Sequence, residues 1–371
     1  MTDPESQHSE SRHSESVHRG YDLETGVLAR VRDWVDIFPW IRLGRVLRVA
    51  GAPSLLCVTA VAMAIDALGA WFLFGSEPRH LGSLSSISGY LFAPVVLVAQ
   101  HLWTISPSAL LMRPSYTSTW VAVLRLAWSL LVWIPVALVL VRQGALLAAD
   151  RPMMGLSVVV RHAISRTPSA WIVAIVPGIC VLMIGAIVWG IGLVARFFAG
   201  VSVAELGMGG LAAIIAIPAG ILALGAFPAI PMAWAAVSNE PQPDPLDSLS
   251  RGYEYFYRRP LRWLMYVAVS IVLLVVGALI AKGVGSATEA IVSVSMNMAG
   301  SPPQSIGMAT MLCRQLPVVV SMTLFWALVG GIYLLVRTDA GGQEVEDLWI
   351  PSPADPPSMP ELSMPELSTK P

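Results

Sequence analysis

Asp66 is the one acidic residue set well inside an apolar stretch of this 371-residue chain, and the chemistry open to it there is limited. An ionisable side chain in hydrocarbon costs roughly a few kcal/mol or more, so it faces a partner or a water-filled cavity. Counted back from one surface, Asp66 lies about eight residues deep and Arg125 about five, a difference of about 5 Å at helical rise. That spacing predicts a buried Asp66–Arg125 ion pair holding a first helical hairpin. An ion or proton site is the alternative. It needs a second carboxylate or a histidine at matching depth, and the sequence suggests neither. His101 falls in an outer interfacial run and His162 in an amphipathic stretch, with no acid or nucleophile spaced for acid–base work.

Other chemistry-bearing patterns are lacking. There is no HExxH, GxSxG, Walker A or GxGxxG arrangement in a strand–turn–helix context. Cys57, Cys180 and Cys313 are scattered, without a CxxC pair, which argues against a disulfide framework or a zinc site. The expectation is no catalytic residue, no cofactor and no metal.

The elements that must position Asp66 are membrane spans. Only 13% of residues are charged and 55% are hydrophobic, with mean hydropathy +0.67; soluble domains carry about 25% charged residues. A net charge of −1 provides no field for nucleic acid. Only Lys282 and Lys370 are lysines, a bias toward arginine that a GC-rich genome explains as simply as phosphate contact. Six stretches reach the about 20 apolar residues needed to cross about 30 Å of hydrocarbon: 53–75, 120–141, 170–195, 209–236, 261–281 and 316–336. A seventh run, Gly89–Ala99, ends in Gln100-His101 and is short enough to be an interfacial or re-entrant helix. With six spans, seventeen of the basic residues fall on the side of the N-terminus and five on the other, predicting both termini in the cytoplasm.

The fold class expected is an all-α integral membrane protein of six spans as three repeated hairpins, each preceded by an interfacial amphipathic helix. A polar, disordered tail covers 1–28 and an interfacial amphipathic segment 29–52, broken at Pro39. The six-span region runs over 53–337, and a Pro-rich disordered tail over 338–371. No cleavable signal segment is visible. The repeat is carried by Arg166, Pro168 and Trp171, and 92 residues later by Arg258, Pro260 and Trp263. Proline suits the first helical turn, tryptophan the interface, and arginine the phosphates, so each set reads as an interfacial anchor opening a span.

Ala212, Ala216 and Gly220 form a small-residue stripe in the fourth span, beside Pro218, Pro228 and Pro231. The stripe predicts a helix buried in the bundle, packed on Gly185 and Trp189 or on Gly330-Gly331. Between the fourth and fifth spans, 244–259 reads as an amphipathic helix capped by Asp247 and carrying Leu249, Tyr253, Phe256 and Tyr257. It is either a lipid-facing anchor or a docking helix for a cytoplasmic partner.

This last region also carries a resemblance. Trp234–Glu240 with Leu246–Pro260, Phe38-Pro-Trp-Ile-Arg-Leu43 and Tyr333–Arg337 resemble sequences of an uncharacterised multi-pass inner-membrane protein family of planctomycete bacteria, over roughly residues 37–347. The chain has Arg251-Gly-Tyr253 where that pattern reads Arg-Ser-Tyr, so no serine hydroxyl carries over there. The resemblance implies a bacterial inner membrane and brings no activity or site residues.

The leading functional expectation is a non-enzymatic membrane scaffold whose partners are the bilayer, a cytoplasmic protein or a second copy of itself. The alternative is a transport or permease subunit with 244–259 as its coupling helix. A carrier requires a cavity at mid-membrane, a scaffold a filled core, and an enzyme two ionisable side chains within reach of each other beside a pocket.

Overall fold

The computed structural model describes residues 34, 37–74, 87–106, 119–341, 345, 348 and 349. The tail expected over 1–28 and most of that over 338–371 lie outside the described residues. Those described are almost wholly helical, with short turns between helices from residue 149 onward. A brief helix α1 (Arg42–Val46) sits between two 3-10 turns, Pro39–Ile41 and Leu47–Gly51. It is followed by α2 (Pro53–Phe74), α3 (Ile87–Ile105), α4 (Thr119–Ala148), α5 (Leu156–Phe197) and α6 (Ser202–Asn239). Then come α7 (Pro245–Arg258), α8 (Pro260–Met298) and α9 (Pro303–Gly341). Six helices, α2, α4, α5, α6, α8 and α9, are long and apolar enough to cross a membrane.

The last four spans are longer than their apolar stretches. At 38 to 42 residues, they measure about 57–63 Å, roughly twice the hydrocarbon thickness. Nothing in the sequence breaks them until the hairpin turns. There Gly200 (φ 95°) and Gly300 (φ 67°) take left-handed backbone that residues with a Cβ rarely adopt. Residues 282–315, expected as a connection, therefore continue α8 and begin α9.

Cross-links between helices fix their directions. Arg45 pairs with Asp150 at 3.6 Å beside the start of α2 and the end of α4, while Asp66 and Ser129 meet further along the same two helices. α2 and α4 are thus antiparallel. Thr323 of α9 donates to Thr59 of α2 (2.9 Å), and Gly331 lies on Leu43 and Val46 beside the start of α2. α9 therefore runs parallel to α4. The end of the bundle holding the start of α2 and the ends of α4 and α9 is here termed basal; the hairpin turns are distal.

The core is basal. Of the six spans, α9 is the most enclosed, with 89% of its apolar window buried against 44% or less for the others. Its closest neighbour is α4: a Cβ on Gly330 would meet the Val141 carbonyl, and one on Gly144 the Ala327 carbonyl. In α6 all of Ala233–Asn239 is buried, whereas Leu211, Ile214, Ile217 and Leu224 are exposed. The segment expected to rest on the membrane surface instead wedges Leu43, Val46 and Val49 into this core. Its break falls at Pro39, which opens the first 3-10 turn.

α3 is longer than its apolar run. Because α2 ends and α4 begins at the distal end, the α3 connection does not cross. Pro94 and Leu97 lie beside the distal Arg314 and Glu289, and four residues on from Leu97, His101 packs on Trp133 and Trp326. The helix descends into the bundle and stops short of the basal end, as a re-entrant element.

The small-residue stripe does not pack as expected. Ala212 and Ala216 are half-buried and Gly220 is exposed, and a Cβ on Gly220 or Gly185 would meet open space. Ala216, Gly220 and Gly185 line a cavity of about 600 Å³ between α5 and α6. Small residues permit close approach but do not impose it, and at Gly185 and Gly220 the cavity stands between the two helices. Gly330 and Gly331, offered as partners for α6, serve α4 and α1 instead. Gly330→Ala should lower the thermal midpoint in detergent, at a cost of about 1–3 kcal/mol for overpacking, while Gly185→Ala leaves it unchanged. Equal midpoints would refute the assignment of the tight crossing to α4 and α9.

Candidate functional site

Asp66, Gln100, His101, Thr104, Arg125 and Trp133 line a cavity of about 550 Å³ bounded by α2, α3, α4 and α9. Each helix supplies its residue for a local reason. α2 is apolar all round, so Asp66 is its one charge, and the residue turns toward α4, where the Ser129 hydroxyl donates to Oδ1 at 3.2 Å. Gly69, one turn on, leaves room for the Trp128 indole. Arg125 lines the same cavity.

His101 corrects the expectation that no histidine shares the depth of Asp66. It is not interfacial. α3 carries it into the bundle, 7% exposed, with its ring 4.2 Å from that of Trp133 and 5.8 Å from that of Trp326, edge-on to both. Its Nε2 is buried with no hydrogen-bond partner among the described residues. The aromatic contacts continue to Trp234, stacked on Trp326 at 5.4 Å, whose Nε1 donates to the Ala170 carbonyl (3.0 Å). Gln100-His101 was the legible signal, a polar pair closing an apolar run. Its meaning depended on α3 turning inward, which periodicity does not encode.

Two apolar cavities adjoin this one across α3. One of about 220 Å³ is lined by Val98, Pro228, Pro231, Trp263 and Phe325 among others, and the other is the cavity beside Gly220. Ala99 lines all three.

At the basal end a polar layer closes the bundle. Gln143 grips the 151–155 turn from both sides, donating to the Met154 carbonyl (2.7 Å) and accepting from the Met154 N–H (3.0 Å). Ser238 donates to the Leu138 carbonyl at 3.1 Å. Glu240 Oε1 accepts from Tyr333 (2.6 Å) and from Arg251 (2.6 Å), and Arg251 also meets Asp247 at 2.7 Å. Burial alone would lower the Arg251 guanidinium; Glu240 and then Asp247 outweigh it and hold Arg251 above its ordinary value.

The 244–259 segment forms α7, but Asp244 caps it, accepting from the Leu246 N–H at 2.9 Å, because Pro245 fixes the first turn. Asp247 is left to pair with Arg251. α7 is held against protein: Gly252 lies on the Ala229 carbonyl, and Tyr253 and Tyr257 donate to the Leu222 and Ile221 carbonyls at 2.9 and 2.6 Å.

The two anchor sets differ in structure. Pro260 opens α8, but Pro168 lies well inside α5, which begins at Leu156. Arg166 donates to the Pro241 carbonyl (2.7 Å), tying α5 to the turn after α6, whereas Arg258 pairs with Glu254 within α7. Trp171 and Trp263 both pack partly against the core. The described end of the chain is also engaged: α9 continues through Gly341, Asp339 binds Arg262 (2.9 Å) and Tyr266 (2.9 Å), and Val345 and Leu348 are buried. These residues fall within the tail expected to be disordered.

Compared with protein-family models, with curated proteins and with solved structures, the chain matches none. Replacing Asp66 or Arg125 by Leu should each lower the thermal midpoint, with less loss in the double variant than the sum of the two. A coupling of about 0.5 kcal/mol or more is expected for residues sharing one site. Strict additivity in the double-mutant cycle would sink the electrostatic pairing.

Proposed function

We propose that this chain is a multi-pass carrier in a bacterial inner membrane, with the cavity beside α3 as its solute site. The observation that carries the reading is the convergence of Asp66, Arg125, His101 and Gln100 on one cavity bounded by four helices. Its volume falls in the range of about 300–1,000 Å³ usual for small-molecule sites. The carboxylate, guanidinium, imidazole and amide suit a small polar solute.

The contrast between the two halves supports a direction of access. The basal half holds the core of α4, α6 and α9 and is closed by Gln143, Ser238 and Glu240, while the cavity at Asp66 lies beside α3 above it. Arg42, Arg45, Arg48, Arg142, Arg166, Arg259, Arg262 and Arg337 gather at the basal end, which favours placing that end and both termini in the cytoplasm. The arrangement is then that of an outward-facing carrier. A scaffold with a filled core accounts for the basal half alone. The repeated hairpins, α5–α6 and α8–α9, fit an internal duplication, and α7, fixed between α6 and the basal surface, is placed to couple to a cytoplasmic partner.

Cysteine accessibility tests this. With Cys57, Cys180 and Cys313 replaced by Ser, Gln100→Cys should react with a charged, membrane-impermeant thiol reagent added outside intact cells, and resist it in inside-out vesicles. No reaction from either side would overturn the carrier reading in favour of a filled scaffold. Reaction from the inside alone would reverse the orientation.

A further inference from the structure

Arg142 is fully buried at the basal end, and among the described residues no carboxylate pairs with it. Its Nη1 donates to Asn239 Oδ1 at 3.1 Å and its Nη2 to the Trp349 carbonyl, both neutral acceptors. Its Nε has no partner among the described residues. A buried guanidinium left with neutral acceptors is costly, since burial penalises charge unless an opposite charge answers it.

Two further basic groups make the imbalance larger. Arg166 stands near enough to repel Arg142, and both guanidinia lie over the Trp349 ring, at 6.0 and 5.8 Å from its centroid. The His162 ring is 5.8 Å from the same indole, and its Nε2 donates to the Ser238 carbonyl at 2.9 Å. The nearest acid in sequence does not help: Glu240, next to Asn239, spends Oε1 on Arg251 and Tyr333.

Three basic side chains thus surround one residue of the chain's own C-terminal segment, and that residue supplies a ring to the cations and a carbonyl oxygen to Arg142. We propose that Arg142, Arg166 and His162 form a binding site for a phosphate group, which the C-terminal segment covers through Trp349. Arginine pairs recognise phosphate through several charge-assisted hydrogen bonds at once, and the Trp349 carbonyl oxygen stands where a phosphate oxygen would be held. Segment and phosphate compete for Arg142 Nη2 and for the space that the Trp349 ring occupies beside Arg166 and His162. The site is separate from the cavity at Asp66, and it stands whether or not that cavity carries a solute.

The test uses the full chain purified in an uncharged detergent, with inorganic phosphate as probe and chloride at equal ionic strength as control. Trp349→Ala should bind phosphate about tenfold more tightly than the unaltered chain, within the usual span of coupling between competing partners. Arg166→Gln, made in the Trp349→Ala background, should abolish the gain; Arg166 is only half-buried, so this variant spares the fold that loss of Arg142 would threaten. Nanodiscs of phosphatidylglycerol against phosphatidylcholine distinguish the sources. Binding of soluble phosphate assigns the site to a free phosphate compound. Stabilisation that requires phosphatidylglycerol and is lost in Arg166→Gln assigns it to a lipid headgroup. If Trp349→Ala responds to phosphate no more than to chloride and is indifferent to phosphatidylglycerol, or if Arg166→Gln responds as its parent does, the proposal fails.

Discussion

Where α9 crosses α4, backbone meets backbone. Gly330 lies on the Val141 carbonyl and Gly144 on that of Ala327, so neither helix has a side chain at the crossing. In an apolar surrounding, burying more hydrocarbon gives helices little reason to associate; dispersion contact at short range supplies it. Once these two helices are joined, the rest has a surface to assemble on. α1 fits over Gly331, α6 lays Trp234 on Trp326, and Ser238 reaches the Leu138 carbonyl. A methyl group at the crossing would separate the pair and loosen each of these together.

The polar layer at the basal end follows from the same crossing. Carbonyls and side chains near helix ends cannot remain unanswered where water is scarce. Gln143, Ser238, Glu240, Tyr333 and Asp339 each hold two segments together, and the partners come from distant parts of the chain. This layer closes one end of the bundle in the way a core closes a soluble domain, with hydrogen bonds where the α4–α9 crossing relies on shape. In the distal half, Arg314 of α9 pairs with Glu289 of α8 at 2.8 Å, in a more exposed setting.

The sequence made the spans legible because twenty apolar residues in a row admit few readings. It placed Asp66 and Arg125 at compatible depths, since depth counts along each helix separately. What it did not disclose is lateral. Whether Ala212, Ala216 and Gly220 meet a neighbour depends on how α5 and α6 lie against each other, and a cavity stands between them at Ala216 and Gly220. His101 was hidden for a similar reason, since the inward course of α3 follows from the antiparallel pairing of α2 with α4 on either side of it. Pro168 and Pro260 occupy like positions in the sequence and unlike ones in the fold, because α5 begins a dozen residues ahead of its proline and α8 begins on its own. Local pattern specified the prolines; the turn before each helix decided what they do.

α3 is the least closely held helix among those inside the bundle. Voids adjoin it on several sides, and Ala99 alone borders three of them. Its imidazole Nε2 is unanswered among the described residues, so shape more than hydrogen bonding keeps it in place. Ala99 presents only a methyl group where the three cavities approach one another. The size of that one side chain therefore sets how far the polar cavity and the two apolar ones communicate, and a bulkier residue there would wall them off from one another.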